Sequence, residues 1–110
     1  MNQTMDEKDF IRLAETTLAE IESAVENVDE LDFELKPGGI LELELDNGSK
    51  IIINQHRIAQ EIWVAARSGG FHFRWNATQA TWHDTRDGTE LKQKITALLK
   101  EQGGIALHWD

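Results

Sequence analysis

The chain has 110 residues, 40% of them hydrophobic and 28% charged, with a formal charge of −9 and no cysteine. This composition fits one globular domain, residues 1–110, and excludes disulfides, thiolate catalysis and any Cys-ligated zinc or iron–sulfur cluster held by this chain alone. A free nucleic-acid backbone is repelled by the acids, no apolar run approaches the ~18–20 residues of a membrane helix, and the start Met1-Asn2-Gln3-Thr4-Met5-Asp6-Glu7 is neither a signal nor a transit peptide. A cytoplasmic protein that binds neither nucleic acid nor membrane is expected.

The first element reads as a helix from Asp6 to Asn27. Phe10, Leu13, Ala14, Thr17, Leu18, Ile21, Ala24, Val25 and Val28 recur at three- and four-residue steps. Thr4 or Asp6 can cap its start, and Asp6, Glu7 and Asp9 suit the positive end of the helix dipole. The pattern then changes to alternation. In Leu31-Asp32-Phe33-Glu34-Leu35 the apolar residues share one face and the acids the other, and Leu41-Glu42-Leu43-Glu44-Leu45 repeats this after a Pro37-Gly38-Gly39 turn. Asn47-Gly48 predicts a type I′ hairpin turn with positive φ at both positions. Strands follow at Lys50–Asn54, at Glu61–Ala66, after a Ser68-Gly69-Gly70 turn at Phe71–Trp75, and at Ala80–His83.

A second helix begins near Asp87-Gly88-Thr89-Glu90, with Asp87 or Thr89 as its cap. Leu91, Ile95, Leu98 and Leu99 form its buried stripe, Gly103-Gly104 ends it, and the tail Ile105–Trp109 packs back on the core. The order is helix, six strands, helix. The expected fold class is α+β: a two-layer α-β sandwich, both helices on one face of a roughly six-stranded antiparallel sheet, the other face open.

Charge is segregated along this plan. Residues 1–46 hold 14 acids and 3 bases, net −11, whereas residues 47–110 are net +2. Glu15, Glu22, Glu26 and Asp29 fall in one stripe beside the apolar face of the first helix, with Asp29 at or just past its end. Acids near a helix C-terminus oppose the dipole by ~0.3–1 kcal/mol, and Glu22 and Glu26 repel at i,i+4. On the first hairpin Asp32, Glu34, Glu42 and Glu44 all point outward, where like charges across strands destabilise. Solvation and edge protection are one reading of this surface; a site for cations or a basic partner is the other. Carboxylates suit hard cations, and acids on a helix and a flat hairpin coordinate them partially, so weak, multi-site binding is expected.

The remaining chemistry is sparse. His56, His72, His83 and His108 show no metal-site spacing, and no phosphate loop, nucleophile elbow or triad is present. No residue is expected to be catalytic, and the chain is expected not to be an enzyme. Trp63 lies between Ile62 and Val64; with those two facing the helices, Trp63 faces out as a binding anchor unless a neighbour such as Arg67 or Arg74 covers it.

Asn47-Gly48-Ser49-Lys50-Ile51-Ile52-Ile53-Asn54-Gln55, then Gln60-Glu61-Ile62-Trp63-Val64-Ala65, then Gly69-Gly70-Phe71-His72-Phe73 closely resemble the core of the frataxin family in its bacterial form. Trp82, Arg86-Asp87-Gly88 and the opening Phe10-Ile11-Arg12-Leu13-Ala14 extend the match over nearly the whole chain. The resemblance implies the same sandwich and an iron-binding regulator of iron–sulfur cluster assembly. It implies iron, Fe2+ or Fe3+, bound without haem by carboxylates that correspond to Glu22, Glu26, Asp29, Glu30, Asp32 and Glu34. It implies a cysteine desulfurase and the iron–sulfur scaffold protein as partners, with Asn54, Gln60 and Trp63 on the partner-binding face. A monomer is expected without metal. The family often has a proline between that asparagine and tryptophan; Ile58 stands there here, so the loop 55–60 is expected to take its own shape and to alter the contacts of Gln55 and Gln60. The alternatives are an iron-oxidising, iron-storing protein and an acidic interaction module unrelated to iron.

Overall fold

The computed structural model describes residues 5–109. Helix α1 spans Glu7–Val25, and the Asp6 carboxylate accepts the Lys8 N–H at its start. Asp6 is thus the cap; Thr4, the other candidate, lies outside the described residues. Six strands follow: β1 Leu31–Lys36, β2 Ile40–Leu45, β3 Lys50–His56, β4 Glu61–Ala66, β5 Gly69–Asn76 and β6 Thr81–Asp84, then helix α2 at Leu91–Gly103. The sheet order is β1-β2-β3-β4-β5-β6, antiparallel throughout. Among the described residues no helix is long and apolar enough to cross a membrane.

Alternation assigns the two faces. Leu41, Leu43, Leu45, Ile51, Ile53, Ile62, Val64 and Phe73 are essentially fully buried against Phe10, Ile21 and Val25 of α1 and Leu91, Ile95 and Leu99 of α2. Trp82 closes this core under α1. Its indole N–H donates to Thr17 Oγ1 at 2.8 Å, and its ring meets Phe10 and Trp75 edge-on at 5.8 and 5.3 Å. Ile105 and Leu107 of the tail are buried, and the Trp109 indole N–H donates to Thr96 Oγ1. One apolar residue departs from the pattern. Leu35, at the end of β1, is 54% exposed and borders a cleft rather than the core.

Four local features differ from the sequence expectation. Helix α1 ends at Val25, so Glu26 is its C-cap and Asp29 and Glu30 lie in the turn that follows. The Asn47-Gly48 hairpin has positive φ at Gly48 alone (+87°). Leu45 O accepts the Gly48 N–H, and the Leu45 N–H donates to Ser49 O, which gives a three-residue loop closed by a glycine bulge. Asn47 is held by its side chain, which accepts from Ser49 and donates to the Gln102 carbonyl of α2. The β4–β5 loop is Arg67-Ser68, because Gly69 already pairs with Ala66.

The α2 cap is Glu90, not Asp87 or Thr89. Thr89 O still accepts from the Asp84 N–H, and Glu90 bridges His83, so the chain remains extended beside β6 to that point. Asp87 instead accepts the Thr89 N–H within the turn, and the Glu90 carboxylate accepts from Lys92 and Gln93. Glu90→Ala is expected to lower stability by about 1 kcal/mol, read as a shift in urea midpoint at constant slope. An unchanged midpoint would show that the cap contributes nothing.

Candidate functional site

Six of the acids singled out in the sequence follow one another along the end of α1, the turn after it and the edge strand β1. Glu22 is half-buried on the last turns of α1. Glu26, Asp29, Glu30, Asp32 and Glu34 are exposed along the cap, the turn and β1. The turn is closed by the Val28 N–H to Val25 O and the Leu31 N–H to Val28 O, and Glu30 O accepts from the Asp46 N–H, which ties it to the β2–β3 loop. No base stands in the last turn of α1. Among the described residues none of these six acids takes part in an ion pair.

Register sharpens the contrast on the first hairpin. Asp32 lies opposite Glu44, and Glu34 opposite Glu42. Only Glu42 is relieved, by Lys36 Nζ at 3.0 Å and Lys50 Nζ at 3.1 Å, and hydrogen bonding from both ammonium groups holds its carboxyl below the ordinary value of 4.5. Glu44 is left exposed beside Asp32, without an ion pair among the described residues, and it joins the acidic edge although the family resemblance did not point to it. The donors are all carboxylate oxygens, which fits a hard cation. Among the described residues no three His, Asp or Glu side chains converge as a closed metal site, so a cation on this edge would keep part of its water.

The second surface is the open sheet face, where β3, β4 and β5 bring together Asn54, His56, Glu61, Trp63, His72 and Arg74. Trp63 does face out, yet it is only half-exposed. Its ring is stacked between His56 (3.9 Å, 16° between planes) and His72 (4.4 Å, 10°), not under Arg67 or Arg74. The Ala59 N–H donates to His56 Nδ1 and fixes that ring. Neither histidine stood out from spacing, because it is strand pairing that sets His72 beside Trp63. Asn54 is directly opposite Trp63 on β3, and a shallow depression of about 220 Å3 runs past Ile52, Asn54, Trp63, Ala65, Gly70 and His72.

The loop residues behave differently. Gln60 has left-handed backbone (φ +54°), and its amide is occupied by Met5, accepting from its N–H and donating to its carbonyl. Gln55 points to the helix side and is buried, so it does not share the face of Trp63. Ile58 is 95% exposed at the loop tip.

Glu61 lies beneath the ring stack and is 5% exposed. Its Oε1 accepts from the Trp63 indole N–H at 2.7 Å and lies 3.5 Å from His72 Nδ1, and its Oε2 accepts from Arg74 Nε at 2.7 Å. Burial pushes its pKa up, but hydrogen bonds from Trp63 and Arg74 and the Arg74 charge outweigh that and hold it below 4.5. A depressed carboxyl adds stability that is present above its unfolded value and disappears as pH falls through its folded one. Glu61→Gln is therefore expected to cost about 1–2 kcal/mol at neutral pH, in urea unfolding, and progressively less as the medium is acidified below 4.5. A deficit independent of pH would remove the carboxylate from the account.

The comparisons with known proteins agree with this architecture. The family described as "Frataxin-like domain" matches residues 3–105. A curated relative from Dechloromonas aromatica, "Iron-sulfur cluster assembly protein CyaY", is 56% identical over 94% of this chain and 97% of its own length. One from Janthinobacterium sp. (strain Marseille), with the same name, is 47% identical over 92% and 93%. Among solved structures, frataxin from Psychromonas ingrahamii superposes with a TM-score of 0.87 at 27% identity, over 96% of this chain and 99% of that one.

Proposed function

The chain belongs to the frataxin-like family, and on that footing we propose that it is an iron-binding regulator of iron–sulfur cluster assembly. The curated relatives carry the assembly role in their names and support it for this chain. The acidic edge of Glu22, Glu26, Asp29, Glu30, Asp32 and Glu34 binds Fe2+ or Fe3+ weakly and docks on a basic surface of the cysteine desulfurase. The open face, with Trp63 and Asn54 beside the shallow depression, meets the scaffold protein on which clusters are built. Gln60 contributes by anchoring Met5 at the start of β4.

One observation carries this reading: six acids at a helix end and first strand, without a compensating base among the described residues. Such crowding costs stability, and a cation or basic partner removes the cost. The chain has no cysteine with which to accept sulfur or hold a cluster, which supports a modulator of assembly over a sulfur carrier or a scaffold.

The test is an anaerobic NMR titration of the labelled protein with Fe2+, repeated with a lanthanide. Amides of residues 22–34 are expected to broaden first, with those around Trp63 unaffected. Uniform broadening over the chain would overturn the assignment of the metal to this edge.

A further inference from the structure

The sheet has two edges, β1 and β6, and they are finished differently. At β6 the chain itself continues the ladder: the Asp84 N–H donates to Thr89 O, and Glu90 bridges His83. At β1 no segment among the described residues does the same. Antiparallel pairing alternates along a strand, and the Asp46 N–H donating to Glu30 O, one step before Leu31 opposite Leu45, fixes its phase. Asp32, Glu34 and Lys36 therefore direct their main-chain groups to β2, whereas Leu31, Phe33 and Leu35 aim theirs away from the sheet. The Leu31 N–H is taken by Val28 O. Phe33 and Leu35 are left with an N–H and a C=O each that have no partner among the described residues.

The side chains of this edge are incompletely covered as well. On the helix face Phe33 is half-buried and Leu35 is 54% exposed, beside a cleft of about 320 Å3 whose far wall includes Leu18 and Ala19 of α1. On the open face Asp32, Glu34 and the adjacent Glu44 are exposed, with no ion pair among the described residues. Lys36, the base of the strand, is turned onto Glu42 at 3.0 Å. An extended segment laid along β1 answers all three features together, because its main chain continues the ladder and its side chains alternate between the two faces.

We propose that the β1 edge binds an extended segment of a partner protein by strand addition, and that basic and apolar residues alternate in this segment. Main-chain hydrogen bonds to Phe33 and Leu35 hold it, its basic side chains lie beside Asp32 and Glu34, and an apolar side chain covers Leu35 and enters the cleft toward Leu18. A second copy of this chain does not fit. Pairing two β1 strands edge to edge would set the Asp32 and Glu34 carboxylates of one copy beside those of the other. The acids that deter self-pairing thus select a strand of opposite charge. This goes beyond the docking role proposed above for the acids, which needs their charge and not the main chain.

The probe is a short end-blocked peptide of alternating lysine and valine, titrated into the full-length labelled protein and followed by NMR and amide hydrogen exchange. Saturable binding is expected, with exchange at the Phe33 and Leu35 amides slowed about tenfold or more. A peptide of the same composition with its lysines in one block should bind about tenfold more weakly and leave those two amides unprotected. Leu35→Pro removes an edge donor that β2 does not use, so the sheet is expected to survive while binding of the alternating peptide falls about tenfold. Glu34→Gln should weaken it about threefold. Equal affinity for the two peptides, unslowed exchange at Phe33 and Leu35, or undiminished binding by Leu35→Pro would overturn the proposal. The exchange measurement uses the unsubstituted protein, so it decides the matter even if Leu35→Pro does not fold. Leu35→Pro keeps every acid, so failure of strand addition leaves the iron and desulfurase reading standing.

Discussion

Replacing Glu22, Glu26, Asp29 and Glu30 together by lysine is expected to abolish capture of the cysteine desulfurase while leaving the fold as stable as before, or more so. The two effects have one cause. Each substitution changes the charge by two units, so the formal charge rises from −9 to −1 and the local field of the edge reverses. Electrostatically steered docking is fast, salt-sensitive and lost when a patch changes sign. Stability moves the other way. The last turn of α1 has no base, so lysines there meet the negative end of the helix dipole and gain roughly 0.3–1 kcal/mol each, while the Glu22–Glu26 repulsion is exchanged for one of similar size. Affinity by titration at low salt and thermal midpoint by circular dichroism check the pair. Retained affinity would refute the edge as the docking site, and a lower midpoint would refute the view that its acids are held against their electrostatic preference.

Trp82→Ala should have the largest effect on stability, about 3–5 kcal/mol in urea unfolding. Trp82 is 2% exposed, packs edge-on against Phe10 and Trp75, and ties β6 to α1 through Thr17. Trp82→Phe separates the contributions. It keeps an aromatic ring against Phe10 and Trp75 but loses the indole N–H to Thr17 Oγ1, so roughly 1–2 kcal/mol is expected. Equal losses for the two variants would mean that the hydrogen bond, not the packing, carries the contact.

The sheet was readable because one of its faces is wet. Alternation marked Glu61–Ala66 to the residue, and the buried stripes of both helices followed from their 3.6-residue spacing. Turns and caps were less readable, since they are decided by bonds to distant elements. Asn47 is held by Gln102, 55 positions away, and the α2 start is delayed by pairing with β6. The acidic edge could be located from composition, yet its lack of counter-charges needed the folded sheet, where Lys36 of β1 and Lys50 of β3 are both committed to Glu42. The histidine clamp on Trp63 was hidden for a related reason. With the β4–β5 loop known to be Arg67-Ser68, counting back from Ala66 and Gly69 reaches Trp63 and His72 together. The burial of Glu61 left no trace in sequence, because an acid on an open face reads as solvated until the rings above it are placed.

Every ladder of the sheet joins strands adjacent in the chain, and this has a kinetic consequence. Such a meander can zip hairpin by hairpin, each closing in about 1–10 μs, without a long loop to close. The costly closure brings the first helix back over the finished meander, where Thr17 meets a residue 65 positions later. Refolding is therefore expected to be limited by that docking event, with the amino-terminal helix the last segment to arrive.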